Sequence, residues 1–247
     1  MRVVPEMSSS RMFNFITECW NPLCMRCQYA CSYCWSEALK DGRLKNSPRY
    51  QKLALIKDRC YLVEKELNRH FKAEASVFVE DCGDLFGSWV PEPWIYEVLK
   101  VIERCPKAKF LLLTKNPKRM LDFKFPDNVL CGATIETTES VRAFSLAPPP
   151  MQRFQAMREL SHPHKMVCIE PIVDFNLSQF YHWLTWIPHL ELVVVGYDNH
   201  NACLPEPSLK KTMKLINDLR GAGLRVVTKT LREARPCPES KEVNALA

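Results

Sequence analysis

The chain has 247 residues, 47% of them hydrophobic, enough for one sizeable core and suited to a single α/β domain. Its opening segment MRVVPEMSSSRMF lacks the apolar stretch of a secretory signal, and no apolar run approaches bilayer-crossing length, so the expectation is a cytoplasmic protein with no membrane partner. The net charge of +6 gathers in KDGRLKNSPRYQK, CPKAKFLLLTKNPKR and LKKTMKLINDLRGAGLR; acidic residues are interspersed, so charge alone does not separate a nucleic-acid surface from solvated helix faces.

In chain order, short apolar runs predict strands at 12–17, 76–80, 109–114, 128–135, 165–170, 190–196 and 224–229. Amphipathic stretches between them predict helices at 50–71, 91–105, 151–160, 177–187 and 208–220, and a short helix in WSEALK at 35–40. Pro91 and Pro93 suit a first helical turn, Ser208 suits a cap, and Gly221 with Gly223 suits a stop before the last strand. Seven strands joined by right-handed crossovers curl into an open or partial (β/α) barrel, with a doubly wound sheet as the rival. In either fold the loops after the strands' C-terminal ends carry the chemistry. Residues 1–232 are expected to form the barrel, and 233–247, which lack an apolar period, a frayed tail.

The cysteines carry the strongest signal. Cys19, Cys24, Cys27, Cys31 and Cys34 crowd into one segment, while the other seven scatter singly from Cys60 to Cys237. The segment WNPLCMRCQYACSYCW follows the first predicted strand, where a barrel displays a cofactor. Thiolates spaced as Cys27-x3-Cys31-x2-Cys34 can hold three corners of a cuboidal iron–sulfur cluster and leave the fourth iron open. Zinc at Cys24, Cys27, Cys31 and Cys34 is the competing reading, although zinc ribbons separate their pairs by a dozen or more residues. Cys24 also permits a second register, Cys24-x6-Cys31-x2-Cys34. The six histidines show no metal spacing.

With Tyr33 before the last cysteine, this motif resembles that of the radical S-adenosylmethionine (SAM) superfamily. The likeness runs through roughly 12–232: WNP, YCW, GDLFGSWVPEPW, LLLTKNPKRM, GATIE, IEPIV and VVVG resemble a phage-associated branch without an assigned reaction. It implies a partial (β/α)6-type TIM barrel, a 4Fe–4S cluster on Cys27, Cys31 and Cys34, and SAM across the strand ends. It also implies an electron donor such as ferredoxin or flavodoxin, and cleavage of SAM to a 5′-deoxyadenosyl radical.

Further site residues follow from the resemblance. Gly83 and Asp84 are the nearest match to the Gly-Gly-Glu element that holds the SAM amino group, and depart from it. Lys115 is similar to the threonine–lysine element of spore photoproduct lyases, where lysine contacts the SAM carboxylate; an ordinary strand-end lysine is the plain alternative. Glu136 falls where related enzymes place a polar residue against the ribose hydroxyls. Glu170 stands in an apolar run and needs a partner or a wet cavity, so either a site role or a salt bridge with Lys229 follows. Cys82 is a candidate hydrogen donor to a product radical, against the reading that it merely packs.

With the barrel expected to take up residues 1–232, no auxiliary-cluster domain is expected, and loops or a partner protein are expected to present the substrate. Basic segments, aromatics that could stack a base and the lyase likeness favour a nucleic acid or nucleoside. A peptide or small metabolite is the alternative, and a zinc-stabilised nucleic-acid-binding module the non-catalytic one.

Overall fold

A computed structural model describes residues 13–56 and 60–237. The elements are β1 (Glu18–Trp20), β2 (Leu23–Met25), α1 (Trp35–Asp41), α2 (Pro48–Ala54), β3 (Cys60–Leu62), β4 (Ser76–Val79), α3 (Glu92–Glu103) and β5 (Lys109–Thr114). They continue with β6 (Val129–Thr134), α4 (Pro150–Glu159), β7 (Lys165–Ile169), α5 (Leu177–Thr185), β8 (Leu190–Val195), α6 (Leu209–Gly221) and β9 (Val226–Thr228).

Seven strands form one parallel sheet in the order β1-β4-β5-β6-β7-β8-β9, and β2 pairs antiparallel with β3 beside it. The order runs with the sequence and never reverses, which removes the doubly wound alternative. No pairing joins the outer strands β1 and β9 among the described residues, so the sheet is an open, partial barrel.

Alternation along each strand explains the two faces. Val77, Val79, Phe110, Leu112, Val167, Ile169, Val193 and Val195 point outward into the large core formed with the helices. Phe78, Leu111, Met166, Cys168, Leu192 and Val194 point to the other face, which packs on Phe13, Phe15 and Ile16 and on no helix among the described residues. Helices on one face only make a curled sheet the geometry that buries both. Inward positions at the strand ends then include Lys115, Glu136, Glu170 and Lys229; Leu113, Cys168 and Val227, two residues before Lys115, Glu170 and Lys229, face the same side.

Two predicted elements differ. The strand expected at 12–17 is shifted to Glu18–Trp20: Met12 lies outside the described residues, while Phe13, Phe15 and Ile16 satisfy their apolar character by filling the concave face rather than by pairing. The helix expected over 50–71 is broken. α2 ends at Ala54, β3 pairs with β2, and a 3-10 turn covers Glu64–Asn68. Of the expected tail, 233–237 has no regular structure and 238–247 lies outside the described residues. No helix among the described residues is long and apolar enough to cross a membrane.

Candidate active site at the strand ends

The cysteine loop runs from β2 to α1 and is strapped to the loop after β6. Ser32 N donates to Phe144 O at 2.9 Å, Leu146 N to Tyr29 O at 2.7 Å, and Cys31 Sγ lies 3.1 Å from Ser145 Oγ. Ala30 takes a left-handed φ of 46° at the loop's turn, and Cys27 N donates to Glu37 Oε1 at 3.1 Å. Glu37 is itself anchored by the fully buried Lys40 at 2.6 Å and by Arg26 at 3.1 Å.

Cys27, Cys31 and Cys34 share one locale. Burial pushes the Cys27 thiol up to about 12, with Asp84, Cys31 and Cys34 adding to it, and burial with Cys31 raises Cys34. Cys24 stands apart: it lies on β2, its Sγ 3.7 Å from Arg49 O, among Leu53, Val63, Tyr50 and Tyr61. Among the described residues no three His, Cys, Asp or Glu side chains converge on the position of one metal ion. Three soft sulfur donors on one loop are the donor chemistry that an iron–sulfur cluster takes, and three buried donors around the loop, Tyr29 Oη, Trp89 Nε1 and Arg153 Nη2, have no acceptor among the described residues.

Beside this loop stands a buried network centred on Glu136. Tyr33 Oη donates a short hydrogen bond to Glu136 Oε1, Lys115 Nζ lies 3.0 Å from the same oxygen, and Arg153 Nη1 lies 2.6 Å from Oε2. Burial alone would raise the Glu136 pKa, but Arg153 and Lys115 outweigh it and bring the carboxyl down to about 2. Burial and the Glu136 charge push the Tyr33 hydroxyl well above its ordinary value. Lys115 also sits over the Tyr33 ring, 5.3 Å from its centroid. Two cations on one carboxylate leave the Glu136 network itself one positive charge, with the Asp84 carboxylate within electrostatic reach of Lys115.

The segment after β4 serves as a splice between strand ends. Asp84 Oδ1 accepts from Thr114 Oγ1 at 2.7 Å and Phe86 N at 3.0 Å, and its Oδ2 accepts from Lys115 N at 2.9 Å. Burial nevertheless raises its pKa. Gly83 packs against Met25, where a Cβ would stand 2.8 Å from Sδ. Asn21 ties β1 to the same segment through Asp81 Oδ1 at 2.6 Å and Cys82 N at 3.1 Å. The half-buried Cys82 thiol is raised by burial and Asp81 to about 12, so it keeps its proton at neutral pH. Glu80, at φ 60°, accepts from Leu23 N at 3.0 Å, and burial raises its carboxyl to about 8.

Glu170 forms an ion pair with Lys229 at 2.9 Å, the salt-bridge alternative of the sequence reading. Gly196 makes room for it, because a Cβ there would lie 3.1 Å from Glu170 Oε1 and 3.2 Å from Lys229 Cβ. The structure thus brings Tyr33, Lys115 and Glu136 together with the cysteine loop, places Asp84 beneath them, and sets Glu170 with a different partner.

Arg153 escaped the sequence reading. The signal was present: position 153 falls four residues before the core position Met157 of α4 and seven before the buried Leu160 that follows the helix, so an arginine occupies the apolar stripe. Its guanidinium also reaches Pro148 O at 2.6 Å and Thr134 O at 2.9 Å.

The fold has counterparts among solved structures. Spore photoproduct lyase complexed with dinucleoside spore photoproduct is 13% identical, with a TM-score of 0.52 over 85% of this chain and 76% of that one. A cysteine-to-serine variant of spore photoproduct lyase is 12% identical, with a TM-score of 0.54 over 93% and 81%. A radical SAM methyltransferase from Sphaerobacter thermophilus is 13% identical, with a TM-score of 0.52 over 89% and 67%. These likenesses establish an α/β fold of the kind seen in radical SAM enzymes. No protein among the curated sequences matches the chain. A family model matches residues 11–203, and the chain accordingly belongs to the family described as Protein of unknown function (DUF5131).

Proposed function

We propose that this chain is a radical SAM enzyme in which Cys27, Cys31 and Cys34 hold a 4Fe–4S cluster and the network around Glu136 receives SAM. The observation that carries the reading is the placement of these three cysteines together at the strand ends, beside Tyr33, Lys115, Glu136 and Arg153. When bound, the reduced cluster and SAM would supply a 5′-deoxyadenosyl radical for hydrogen abstraction.

The protein's own residues have distinct tasks in this reading. A carboxylate offers about four acceptor positions, three of which Tyr33, Lys115 and Arg153 fill at Glu136, so one remains for a ribose hydroxyl. The surplus positive charge of Lys115 and Arg153 suits the SAM carboxylate. Asp84 spends its side chain on Thr114, Lys115 and Phe86, so it and Gly83 would serve the SAM amino group by shaping the loop. Glu170, held by Lys229 at the end of the strand next to that of Glu136, completes the set of candidate contacts. Cys82, which keeps its proton, would be the hydrogen donor.

The substrate in this proposal is a nucleic acid or nucleoside, delivered to the loops directly or by a partner protein; an acidic ferredoxin or flavodoxin would supply electrons. A spore photoproduct lyase with this fold has been captured with a dinucleoside photoproduct, which supports the choice. Anaerobic incubation with SAM and dithionite tests the reading: 5′-deoxyadenosine should form slowly even without substrate. Persistent absence of that product from SAM-bound protein with a reducible cluster contradicts it. Deuterated DNA, RNA, nucleosides and peptides, offered separately, identify the substrate class by the label recovered in 5′-deoxyadenosine. Cys82→Ala should preserve that label transfer while changing the product formed.

A further inference from the structure

Six buried side-chain polar atoms lack a hydrogen-bond partner among the described residues, and three of them surround the cysteine loop: Tyr29 Oη, Trp89 Nε1 and Arg153 Nη2. Tyr29 is only 7% exposed and Arg153 is fully enclosed. The Tyr29 ring meets the Trp89 indole edge-on, with centroids 4.8 Å apart. Tyr29 belongs to the loop itself, between Cys27 and Cys31, and its hydroxyl lies within electrostatic reach of both thiols, of Asp84 and of Arg153. A buried donor left without an acceptor is costly, so three around one loop call for an acceptor that arrives with a ligand.

The nearby acceptors are already committed. Ser145 Oγ takes Ala147 N at 3.2 Å and faces Cys31 at 3.1 Å, and the Asp84 carboxylate holds three donors of its own. The thiols, while protonated, accept only weakly. Thiolates bonded to iron, together with inorganic sulfide, would bring anionic sulfur acceptors to this place.

We propose that Tyr29 and Trp89, backed by the Arg153 guanidinium, donate hydrogen bonds to the sulfurs of the cluster and thereby raise its reduction potential. The inference rests on the cluster assignment above. A donor to sulfur stabilises the reduced, more negative state more than the oxidised one. Tyr29 and Trp89 are tuning residues in this account, and Arg153, which also holds Glu136, is left intact in the test.

The experiment is a redox titration of anaerobically reconstituted wild type, Tyr29→Phe and Trp89→Phe, followed by absorbance and by EPR of the reduced cluster. Each variant keeps an aromatic ring and loses one donor. At a fixed applied potential, the reduced-to-oxidised ratio should fall about tenfold in each, a midpoint shift of about 59 mV for one electron. Metal-free Tyr29→Phe should melt no lower than wild type, because the hydroxyl removed has no partner among the described residues, whereas Trp89→Phe also gives up indole packing against the core. Unchanged midpoints in both variants, with wild type fully loaded, overturn this inference alone. A wild-type protein that assembles no iron–sulfur cluster overturns it together with the functional reading.

Discussion

Replacing Arg153 with methionine removes a fully buried guanidinium and strands Glu136 in the interior. Removing one partner of a buried ion pair costs about 3–5 kcal/mol. Lys115 remains 3.0 Å from Glu136 Oε1 and Tyr33 still donates to it, which draws the expected loss toward the lower end. The carbonyls of Pro148 and Thr134, which lose their 2.6 Å and 2.9 Å bonds, draw it back up. For a domain of this size such a loss lowers the melting midpoint by roughly 6–20 °C. Far-UV circular dichroism of the metal-free protein during heating and urea titration measures it. The double variant Glu136→Gln/Arg153→Met removes both charges, and its loss should fall short of the sum of the single losses by about 2 kcal/mol or more. A single-variant loss below about 1 kcal/mol, or strict additivity in the cycle, would refute the claim that Glu136 and Arg153 form a coupled buried pair.

Glu80 should make stability fall with rising pH. Its folded pKa is raised to about 8, so between the unfolded value near 4.5 and pH 8 the folded chain holds more protons than the unfolded one. That contribution is fully present below 4.5 and is lost as pH rises through 8; Glu80→Gln should flatten the decline in urea unfolding curves between pH 5 and 8.5, and an unaltered slope would show that Glu80 does not cause it. Gly196→Ala, whose methyl would stand 3.1 Å from Glu170 Oε1 and 3.2 Å from Lys229 Cβ, should be the less stable of two glycine-to-alanine variants. Gly221→Ala, with nothing within 4 Å, should be neutral or stabilising by about 0.4–1 kcal/mol, and equal effects of the two alanines in denaturant titrations would contradict the contact geometry.

The six later strands of the sheet were legible because alternating or continuous apolar runs of four to six residues carry a readable period; the last of them, Val226–Thr228, is shorter but sits in the apolar run LRVV. The three-residue strands β1, β2 and β3 are too short for that period to show. Around 50–71 the apolar spacing suited a helix equally well, and only pairing of Cys60–Leu62 with Leu23–Met25 resolves it. At the site, the residue types were visible but their pairings were not. Lys115 and Glu136 stand on neighbouring strand ends, and the partner that completes them, Arg153, comes from a helix seventeen residues after Glu136. Glu170 and Lys229 meet across the intervening β8, which a one-dimensional pattern does not reveal.

Metal content tests the central claim most directly. Anaerobically reconstituted wild type should be brown, carry about four irons per chain with matching sulfide, and show a reduced-cluster EPR signal that SAM perturbs. Cys27→Ala, Cys31→Ala and Cys34→Ala should each lose the iron, whereas Cys24→Ala, whose sulfur lies against Arg49 O, should retain it. A colourless protein loaded with zinc, or iron lost from Cys24→Ala but kept by Cys27→Ala, would contradict the account.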